Sequence, residues 1–297
     1  MMTHPHSRRL MLSGTIGMLM AACGAPRPES RVVPGDSPSE ALARLEARVG
    51  GRVGVFAVDT RTGKSLGFRP DERFAMCSTF KWVLAATVLA QVDAGRLALG
   101  ERISYGPADL LEYAPITGAH VAQGAMTVEA LARAAVIVSD NTAANLLLAR
   151  LGGPSAVTQF ARSHGDGVTR LDRNEPALND HVPGDPRDTT TPRAMVELMR
   201  RVLGGEHLRA GNRERLLGWL RDCETGKERL RAGLPRDWIV GDKTGSGPRG
   251  AFNDVAIAWP PGRPPILVAA YMSGSKSPMN SLNAAHAEIG RLVAVEL

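Results

Sequence analysis

Ser78 and Lys81 are three residues apart, and a long apolar run follows them as far as Gly95. In a helix, this spacing places both side chains on one face. A serine hydroxyl becomes a good nucleophile when a neighbouring base takes its proton, and a desolvated lysine amine can be that base. The pair therefore indicates nucleophilic catalysis. An isolated Ser-x-x-Lys is more often a capping serine followed by a surface lysine, and Ser273 to Lys276 repeats it without a helical run behind it.

A second polar group, Ser139-Asp140-Asn141, lies where two predicted helices meet. A hydroxyl at such a junction can relay a proton, and the Asn141 amide can both donate and accept hydrogen bonds with a substrate amide. Without other evidence, the same three residues would simply cap the following helix.

A third group, Lys243-Thr244-Gly245, stands at the end of a predicted strand. An ammonium beside a hydroxyl can bind a carboxylate, and the glycine lets the backbone approach a ligand closely. The alternative is an ordinary turn at the end of a strand.

A polar loop interrupted by prolines runs from residue 170 to residue 188. A loop of this length without secondary structure is usually functional. Arg173 and Asp188 carry opposite charges and are predicted to pair at its neck. Glu175 and Asn179 could hold one water molecule between a carboxylate and an amide, as general base catalysis requires.

The elements that could position these groups follow from the apolar periodicity. Helices are predicted at about 39–48, 78–94, 127–138, 141–151, 154–164, 192–203, 206–220 and from 279 to the end. Strands are predicted at 52–59, 65–69, 238–243, 251–259 and 266–272. The 78–94 segment is apolar on all sides, which indicates a helix buried in the core.

Strands near both chain ends, with helices between them, predict an α/β (α+β) fold. The sheet is expected to be mainly antiparallel, built from both chain ends and flanked by helices. An inserted all-α domain would place the active site at the junction of the two parts. The corresponding boundaries are 38–76 and 221–297 for the sheet subdomain and 77–220 for the helical subdomain.

Composition narrows the classes of function. Of the 297 residues, 43% are hydrophobic and 22% are charged, as in an ordinary globular protein. The net charge of +6 comes mainly from arginines that are scattered along the chain. Because no basic run is interleaved with aromatic residues, nucleic acid is not predicted as a partner.

The first 22 residues have the features of an export signal and are kept out of the fold. Arg8 and Arg9, typical of a twin-arginine signal, precede an apolar stretch that ends at Ala22 and is too short to span a bilayer. The residues before Cys23 resemble a lipobox, which predicts membrane attachment through a lipidated Cys23; a plain signal peptide cleaved nearby is the alternative. Residues 23–37 are predicted to form a tether. The protein is expected to be periplasmic or lipid-anchored in a bacterial envelope.

The four groups, in this order and spacing, resemble the class A serine β-lactamases, which carry Ser-x-x-Lys, Ser-Asp-Asn and Lys-Thr-Gly. The resemblance covers residues 37–297. It implies hydrolysis of small-molecule β-lactams, penicillins and cephalosporins, through a serine acyl-enzyme intermediate. Ser78 would be the nucleophile, Lys81 a base or proton relay, and Ser139 the proton donor to the β-lactam nitrogen. Whether Lys81 or Glu175 is the acylation base stays open.

The resemblance also implies a set of contacts to the drug and to the hydrolytic water. These are Lys243 and Thr244 for the drug's carboxylate, with Gly245 beside them; Asn141 for its side-chain amide; the backbone N–H groups of Ser78 and Ser246 for the oxyanion; Glu175 and Asn179 for the water; and Tyr113 at the pocket mouth.

The chain departs from common family members near the carboxylate site. Phe252 replaces the basic residue that many members have on the strand after the Lys-Thr-Gly motif. Arg229 stands where some members carry an arginine instead, and it is expected to share the charge of the carboxylate. Arg231 is expected to face elsewhere.

Cys77 and Cys223 could pair in an oxidising compartment, as far as the residues alone indicate. In carbapenem-hydrolysing relatives, the cysteine before the nucleophile bonds to a residue whose position is occupied here by Gly247. By this resemblance, both thiols are expected to be free, and carbapenem hydrolysis is less expected. No residues near either cysteine have metal-ligand spacing, so no metal and no cofactor is predicted.

Two other functions fit parts of the sequence. A penicillin-binding DD-peptidase shares the serine, the lysines and the Lys-Thr-Gly motif but lacks the loop with Glu175 and Asn179. A non-catalytic, peptidoglycan-associated lipoprotein would need only the lipobox. Steady turnover of a chromogenic cephalosporin, a single burst, or no reaction would separate the three. The protein is expected to be a monomer.

Overall fold

A computed structural model describes residues 37–205 and 207–297. The predicted export signal at 1–22, the lipobox residue Cys23 and the predicted tether up to residue 36 lie outside these residues. Within the described part of the chain, no helix has both the length and the apolar character needed to cross a bilayer.

The centre of the fold is one five-stranded antiparallel sheet. The strands of the described chain are β1 (Arg52–Asp59), β2 (Ser65–Phe68), β3 (Phe74–Ala75), β4 (Arg102–Ser104), β5 (Ala125–Thr127), β6 (Thr189–Thr190), β7 (Ile239–Gly247), β8 (Ala251–Trp259) and β9 (Ile266–Ser273). The central sheet has the order β2-β1-β9-β8-β7, and β1 pairs with β9 along its whole length. The prediction of an antiparallel sheet built from both chain ends is therefore confirmed.

Helices cover both faces of this sheet. The α-helices of the described chain are α1 (Pro38–Val49), α2 (Phe80–Asp93), α3 (Pro115–Ala119), α4 (Val128–Ile137), α5 (Asn141–Arg150), α6 (Ser155–Ser163), α7 (Pro192–Gly204), α8 (Ala210–Arg221), α9 (Leu230–Gly233) and α10 (Met279–Glu296). One face packs against α1, α9 and α10. The other face shares a core with α2 and with α4 to α8. The subdomain boundaries at 76/77 and 220/221 stay a prediction.

Helix α2 is the centre of the larger core, as predicted, since ten consecutive residues from Phe80 to Leu89 are buried. The helix does not begin at Ser78, however, because a 3-10 turn, Cys77–Thr79, precedes it. Cys77 has a φ of 45°, a left-handed backbone conformation through which α2 cannot be extended towards the N-terminus. Ser78 is therefore presented from a tight turn directly before α2.

Strand β7 is longer than predicted. It continues beyond Lys243 to Gly247, which pairs with Ala251 across the hairpin. Because β8 provides backbone partners as far as Ala251, Thr244 and Gly245 lie inside an edge strand and not in a turn at its end.

Two short strand pairs were not predicted. β3 pairs with β6, with Phe74 opposite Thr190 and Ala75 opposite Thr189, and β4 pairs with β5. Strands of two or three residues are too short to give a periodic pattern. The first pair joins the chain that enters the nucleophile turn to the chain that leaves the 170–188 loop.

The two cysteines of the described chain are buried and free. Burial raises the pKa of Cys77 to about 12 and also raises the pKa of Cys223. Since the thiolate is the reactive form, neither thiol should react with a disulfide reagent while the protein is folded.

We therefore expect that protein beginning at Ser37, which lacks Cys23, releases about two equivalents of chromophore from a thiol reagent only after denaturation without reductant. A signal that appears only once reductant is added would mean that Cys77 and Cys223 are bridged.

Candidate active site

Four segments meet at the β7 edge of the sheet: the turn before α2, the junction of α4 and α5, the 170–188 loop, and β7 itself. Side-chain hydrogen bonds join all four. Ser78 Oγ is 3.3 Å from Glu175 Oε1, and Lys243 Nζ is 3.1 Å from Ser139 Oγ. The fold thus brings together the four groups of polar residues from which the active site was predicted.

The Lys81 ammonium lies at the centre of this polar cluster. Its Nζ is 3.0 Å from Ser78 Oγ and 3.0 Å from Glu175 Oε1. It also donates to Asn141 Oδ1 at 2.5 Å and to the carbonyl of Ser139 at 2.8 Å. The predicted contact between Ser78 and Lys81 is confirmed, although Ser78 makes it from the turn before α2 and not from a shared helix face. Because the side chains of Lys81 and Glu175 are both fully buried, each charge depends on the other and on these hydrogen bonds.

The surroundings of Lys81 lower its pKa and so favour proton transfer. Burial lowers the pKa of Lys81 below its ordinary value, and the neighbouring Glu175 carboxylate partly raises it again. A lysine whose pKa is lowered in this way loses its proton more readily and can act as a general base.

Ser139 Oγ stands between two ammonium groups, 3.3 Å from Lys81 Nζ and 3.1 Å from Lys243 Nζ. Its φ of 62° is unusual for serine. The buried Asp140 carboxylate fixes this junction by accepting hydrogen bonds from the Thr117 backbone N–H at 2.9 Å and hydroxyl at 2.8 Å. The Ser139 hydroxyl can therefore exchange a proton with either lysine.

Tyr113 belongs to the same junction through its backbone. Its carbonyl accepts the N–H of Asn141 at 3.0 Å. Because 51% of the residue is exposed, its ring is available to an incoming molecule.

The 170–188 loop is fixed at its neck and at its middle. Arg173 Nε donates to Asp188 Oδ2 at 2.6 Å, which confirms the predicted ion pair. Asn145 of α5 accepts the backbone N–H of Glu175 at 3.0 Å and donates to the Glu175 carbonyl at 2.8 Å. Asn179 Nδ2 donates to Glu175 Oε2 at 2.7 Å. The carboxylate is thus held against Lys81 and Ser78 by a rigid segment.

Strand β7 runs unusually close to the nucleophile turn. A Cβ at Gly245 would lie 2.6 Å from the Met76 carbonyl oxygen and 3.1 Å from the Ser78 nitrogen. Only glycine permits this approach. The close approach brings the backbone of Ser246 towards Ser78. The N–H groups of these two residues are the predicted oxyanion donors.

Lys243 and Thr244 provide a cation and a hydroxyl in this strand. Lys243 is completely buried, and burial lowers its pKa to about 8. The hydroxyl of Thr244 is 2.6 Å from that of Thr225. Thr225 was not predicted as a site residue, because a single threonine outside a motif gives no signal.

Arg229 adds a second buried cation to this end of the site. Its Nη2 donates to Ser246 Oγ at 2.7 Å. Its Nη1 donates to the carbonyls of Gly245 at 3.0 Å and Asn253 at 2.5 Å. The guanidinium therefore lies against the backbone of β7 and β8. The Ser246 hydroxyl links it to the substrate side of β7.

Arg231 faces elsewhere, as expected, but it is not without a role. It forms an ion pair with Asp242, whose side chain is completely buried. Removing Arg231 would leave a buried carboxylate without its partner, which is costly. Arg231 is consequently unsuitable as a neutral comparison for Arg229.

The geometry joins a nucleophile, a proton relay and two buried cations that could bind an anion in one contiguous group of side chains. Asn145 and Thr225 are the supporting residues that the sequence analysis missed, because single polar residues in a helix or turn form no motif. Over 37–205 and 207–297, no three His, Cys, Asp or Glu side chains are grouped so that they could hold a metal ion. The assembled groups suit acyl transfer through a serine.

Comparison with known proteins gives the same result. The model of the family described as "Beta-lactamase enzyme family" matches residues 37–297. The chain is 50% identical to β-lactamase L2 of Stenotrophomonas maltophilia, over 84% of this chain and 83% of that protein. It is 45% identical to β-lactamase CTX-M-8 of Citrobacter amalonaticus, over 92% of each.

Solved structures agree with the sequence comparisons. An ancestral class A β-lactamase structure is 56% identical and has a TM-score of 0.85, with 87% of this chain and 99% of that chain covered. With a family model that matches nearly nine-tenths of the chain and relatives of this identity, the protein belongs to the class A serine β-lactamases and hydrolyses β-lactams.

Proposed function

We propose that this enzyme opens the β-lactam ring of penicillins and cephalosporins by acylating Ser78 and then hydrolysing the acyl-enzyme with a water activated by Glu175. One observation carries the proposal: Ser78 Oγ is within hydrogen-bonding distance of both Lys81 Nζ and Glu175 Oε1. A serine that contacts both members of this pair can give its proton to whichever of them is unprotonated and later receive it back.

In the first step, Ser78 Oγ attacks the carbonyl carbon of the ring while its proton passes to the pair formed by Lys81 and Glu175. Negative charge develops on the carbonyl oxygen, where the N–H groups of Ser78 and Ser246 stabilise it. Each such donor contributes about 2.7–4 kcal/mol in comparable sites. The ring C–N bond then breaks, and Ser139 gives a proton to the nitrogen. Lys81 or Lys243 can restore the proton of Ser139, since both contact its hydroxyl.

In the second step, a water held between Glu175 and Asn179 attacks the ester carbonyl of the acyl-enzyme. Glu175 takes the water proton, the ester C–O bond breaks, and Ser78 Oγ is protonated again. Asn145 supports this role because it holds the Glu175 backbone from both sides. Asn145 of α5 thus fixes the Glu175 carboxylate in the position that water activation requires.

The substrate carboxylate is assigned to Lys243 and Thr244, with Arg229 adding positive charge from behind β7. Two buried cations at one end of a cleft favour an anion there. Asn141 and Tyr113 are assigned to the substrate side chain, since Asn141 begins α5 beside Lys81 and its backbone N–H is bonded to the carbonyl of the exposed Tyr113.

The Glu175–Asn179 pair supports a hydrolase over a DD-peptidase, because it places a carboxylate and an amide 2.7 Å apart beside the nucleophile. A non-catalytic lipoprotein would not need a buried ion pair next to Ser78. We further propose that residues 1–22 direct export, that Cys23 can attach the protein to the membrane, and that the protein works as a monomer.

Replacing Glu175 by alanine should leave acylation measurable and block deacylation. A penicillin should then give a burst of about one equivalent and remain attached, because a covalent mechanism stops after its first step. Intact mass and peptide mass spectrometry should locate the adduct on the Ser78 peptide.

The same change in a Ser78→Ala background should give no adduct, whereas Ser273→Ala, in the second Ser-x-x-Lys sequence, should keep it. Undiminished steady turnover of Glu175→Ala would refute the role of Glu175, and an adduct on Ser139 or Ser273 would refute that of Ser78.

The pH profile should show the titration of Lys243. With a pKa of about 8, Lys243 is charged below this pH and neutral above it, so carboxylate binding should weaken as the pH rises. We expect kcat/KM for a penicillin, which reports the free enzyme, to fall roughly tenfold between its plateau and pH 9. The penicillin methyl ester lacks the carboxylate and should not show this limb; the same limb for both compounds would assign it to another group.

Replacing Arg229 by alanine should lower kcat/KM for penicillins by roughly 10- to 150-fold, since a charge-assisted hydrogen bond contributes about 1.5–3 kcal/mol. Lys227→Ala is the matched control, because it removes one positive charge from the same segment at an exposed position. Steady-state kinetics should find Lys227→Ala close to the parent enzyme. Equal losses in the two variants would remove Arg229 from the carboxylate site.

A further inference from the structure

The guanidinium of Arg229 lies over the face of an aromatic ring. Its Cζ is 3.6 Å from the centroid of Phe252, well within the distance of about 6 Å at which a cation is attracted to a ring face. Both residues are buried, with 7% of Arg229 and 4% of Phe252 exposed. In so dry a place, water weakens this attraction little.

The ring and the hydrogen bonds restrain the guanidinium in different directions. The acceptors at Gly245, Ser246 and Asn253 bind its N–H groups, which lie in the guanidinium plane. The face of Phe252 limits movement out of that plane. Together they leave one orientation in which Nη2 reaches Ser246 Oγ.

Phe252 is itself held in place. It sits directly opposite Ser246 in the pairing of β7 with β8, so both side chains project from the same face of the sheet. The ring of His286 packs against it at 5.5 Å between centroids and a 70° tilt. His286 is completely buried, and burial, followed by the charge of Arg229, lowers its pKa to about 3. His286 is therefore neutral and does not bring a second cation to the ring.

We propose that Phe252 is a positioning residue for substrate recognition: its ring face orients Arg229 so that the guanidinium charge is directed through Ser246 towards the substrate carboxylate. The proposal rests on the carboxylate role of Arg229 in the proposed function. In this proposal, Phe252 does not bind the substrate itself but holds Arg229, the cation that lies directly before α9.

The competing explanation is that Phe252 only fills the core. It belongs to the apolar cluster formed by α1, α9, α10 and one face of the sheet. Loss of packing alone would lower stability and would affect all substrates alike. A position that acts through Arg229 should instead affect only substrates with a carboxylate.

The test is the ratio of kcat/KM for a penicillin to kcat/KM for its methyl ester. Phe252→Leu keeps an apolar side chain but removes the ring face. We expect it to lower this ratio about 5- to 30-fold, the loss of one desolvated cation–π contact. In an Arg229→Ala background, Phe252→Leu should lower the ratio no further, because the cation that the ring orients is gone.

The outcomes separate the two proposals. An Arg229→Ala variant with an unchanged ratio would refute the carboxylate role of Arg229, and this is measured with Phe252 in place. If Arg229→Ala lowers the ratio but Phe252→Leu does not, or lowers the rates for both substrates equally, the positioning role is refuted. If Phe252→Leu does not fold, Phe252→Met replaces it; failure of both to fold would show that the ring is a core element, which also refutes the proposal.

Discussion

The ion pair between Lys81 and Glu175 is the constraint on which the active site depends. Removing two charges from water costs several kcal/mol for each, and their attraction compensates only when the geometry is good and the remaining polar atoms are bonded. Both side chains are fully buried. Lys81 reaches the α4–α5 junction through Asn141 and the Ser139 carbonyl, and the Glu175 backbone is held by Asn145. Helix α2, helix α5 and the 170–188 loop must therefore all be correctly positioned before the ion pair can form. The ion pair and the active site consequently form together.

Backbone strain is concentrated at the same place. Cys77, Ser139 and Asp188 all have positive φ values, of 45°, 62° and 56°. Such conformations cost about 1–3 kcal/mol each and persist only where the surroundings enforce them. Here the β3–β6 pair holds the nucleophile turn against the end of the loop, and the buried carboxylate of Asp140 holds the junction. With these backbone conformations, the Ser78 and Ser139 hydroxyls lie 3.0 and 3.3 Å from the one Lys81 ammonium.

The sequence predicted the chemistry better than the geometry. The four groups of polar residues, the sheet from both chain ends and the buried helix α2 were all recoverable, since each depends on local pattern or residue type. The start of α2 was misplaced, because the left-handed turn at Cys77 is imposed by its packing and not by its residue type. The end of β7 was misplaced too, since Thr244 and Gly245 look like a turn until β8 supplies hydrogen-bonding partners. Asn145 and Thr225 were not predicted as site residues, because each acts through hydrogen bonds to residues that are distant in the sequence.

Charge is divided unequally between the two halves of the active site, and this division explains how one site can both bind and react. Around Ser78, the cation of Lys81 is matched by the carboxylate of Glu175, so a proton can move between them without a large change in net charge. Around β7, Lys243 and Arg229 are buried, and burial lowers the pKa of both. An anion beside them stabilises their charged forms, whereas a neutral molecule does not. The substrate carboxylate is therefore bound in the half around β7. The reacting carbonyl is held in the half around Ser78, next to the ion pair of Lys81 and Glu175. Because Lys81 and Lys243 both contact Ser139, the hydroxyl that protonates the leaving nitrogen is the link between the two halves.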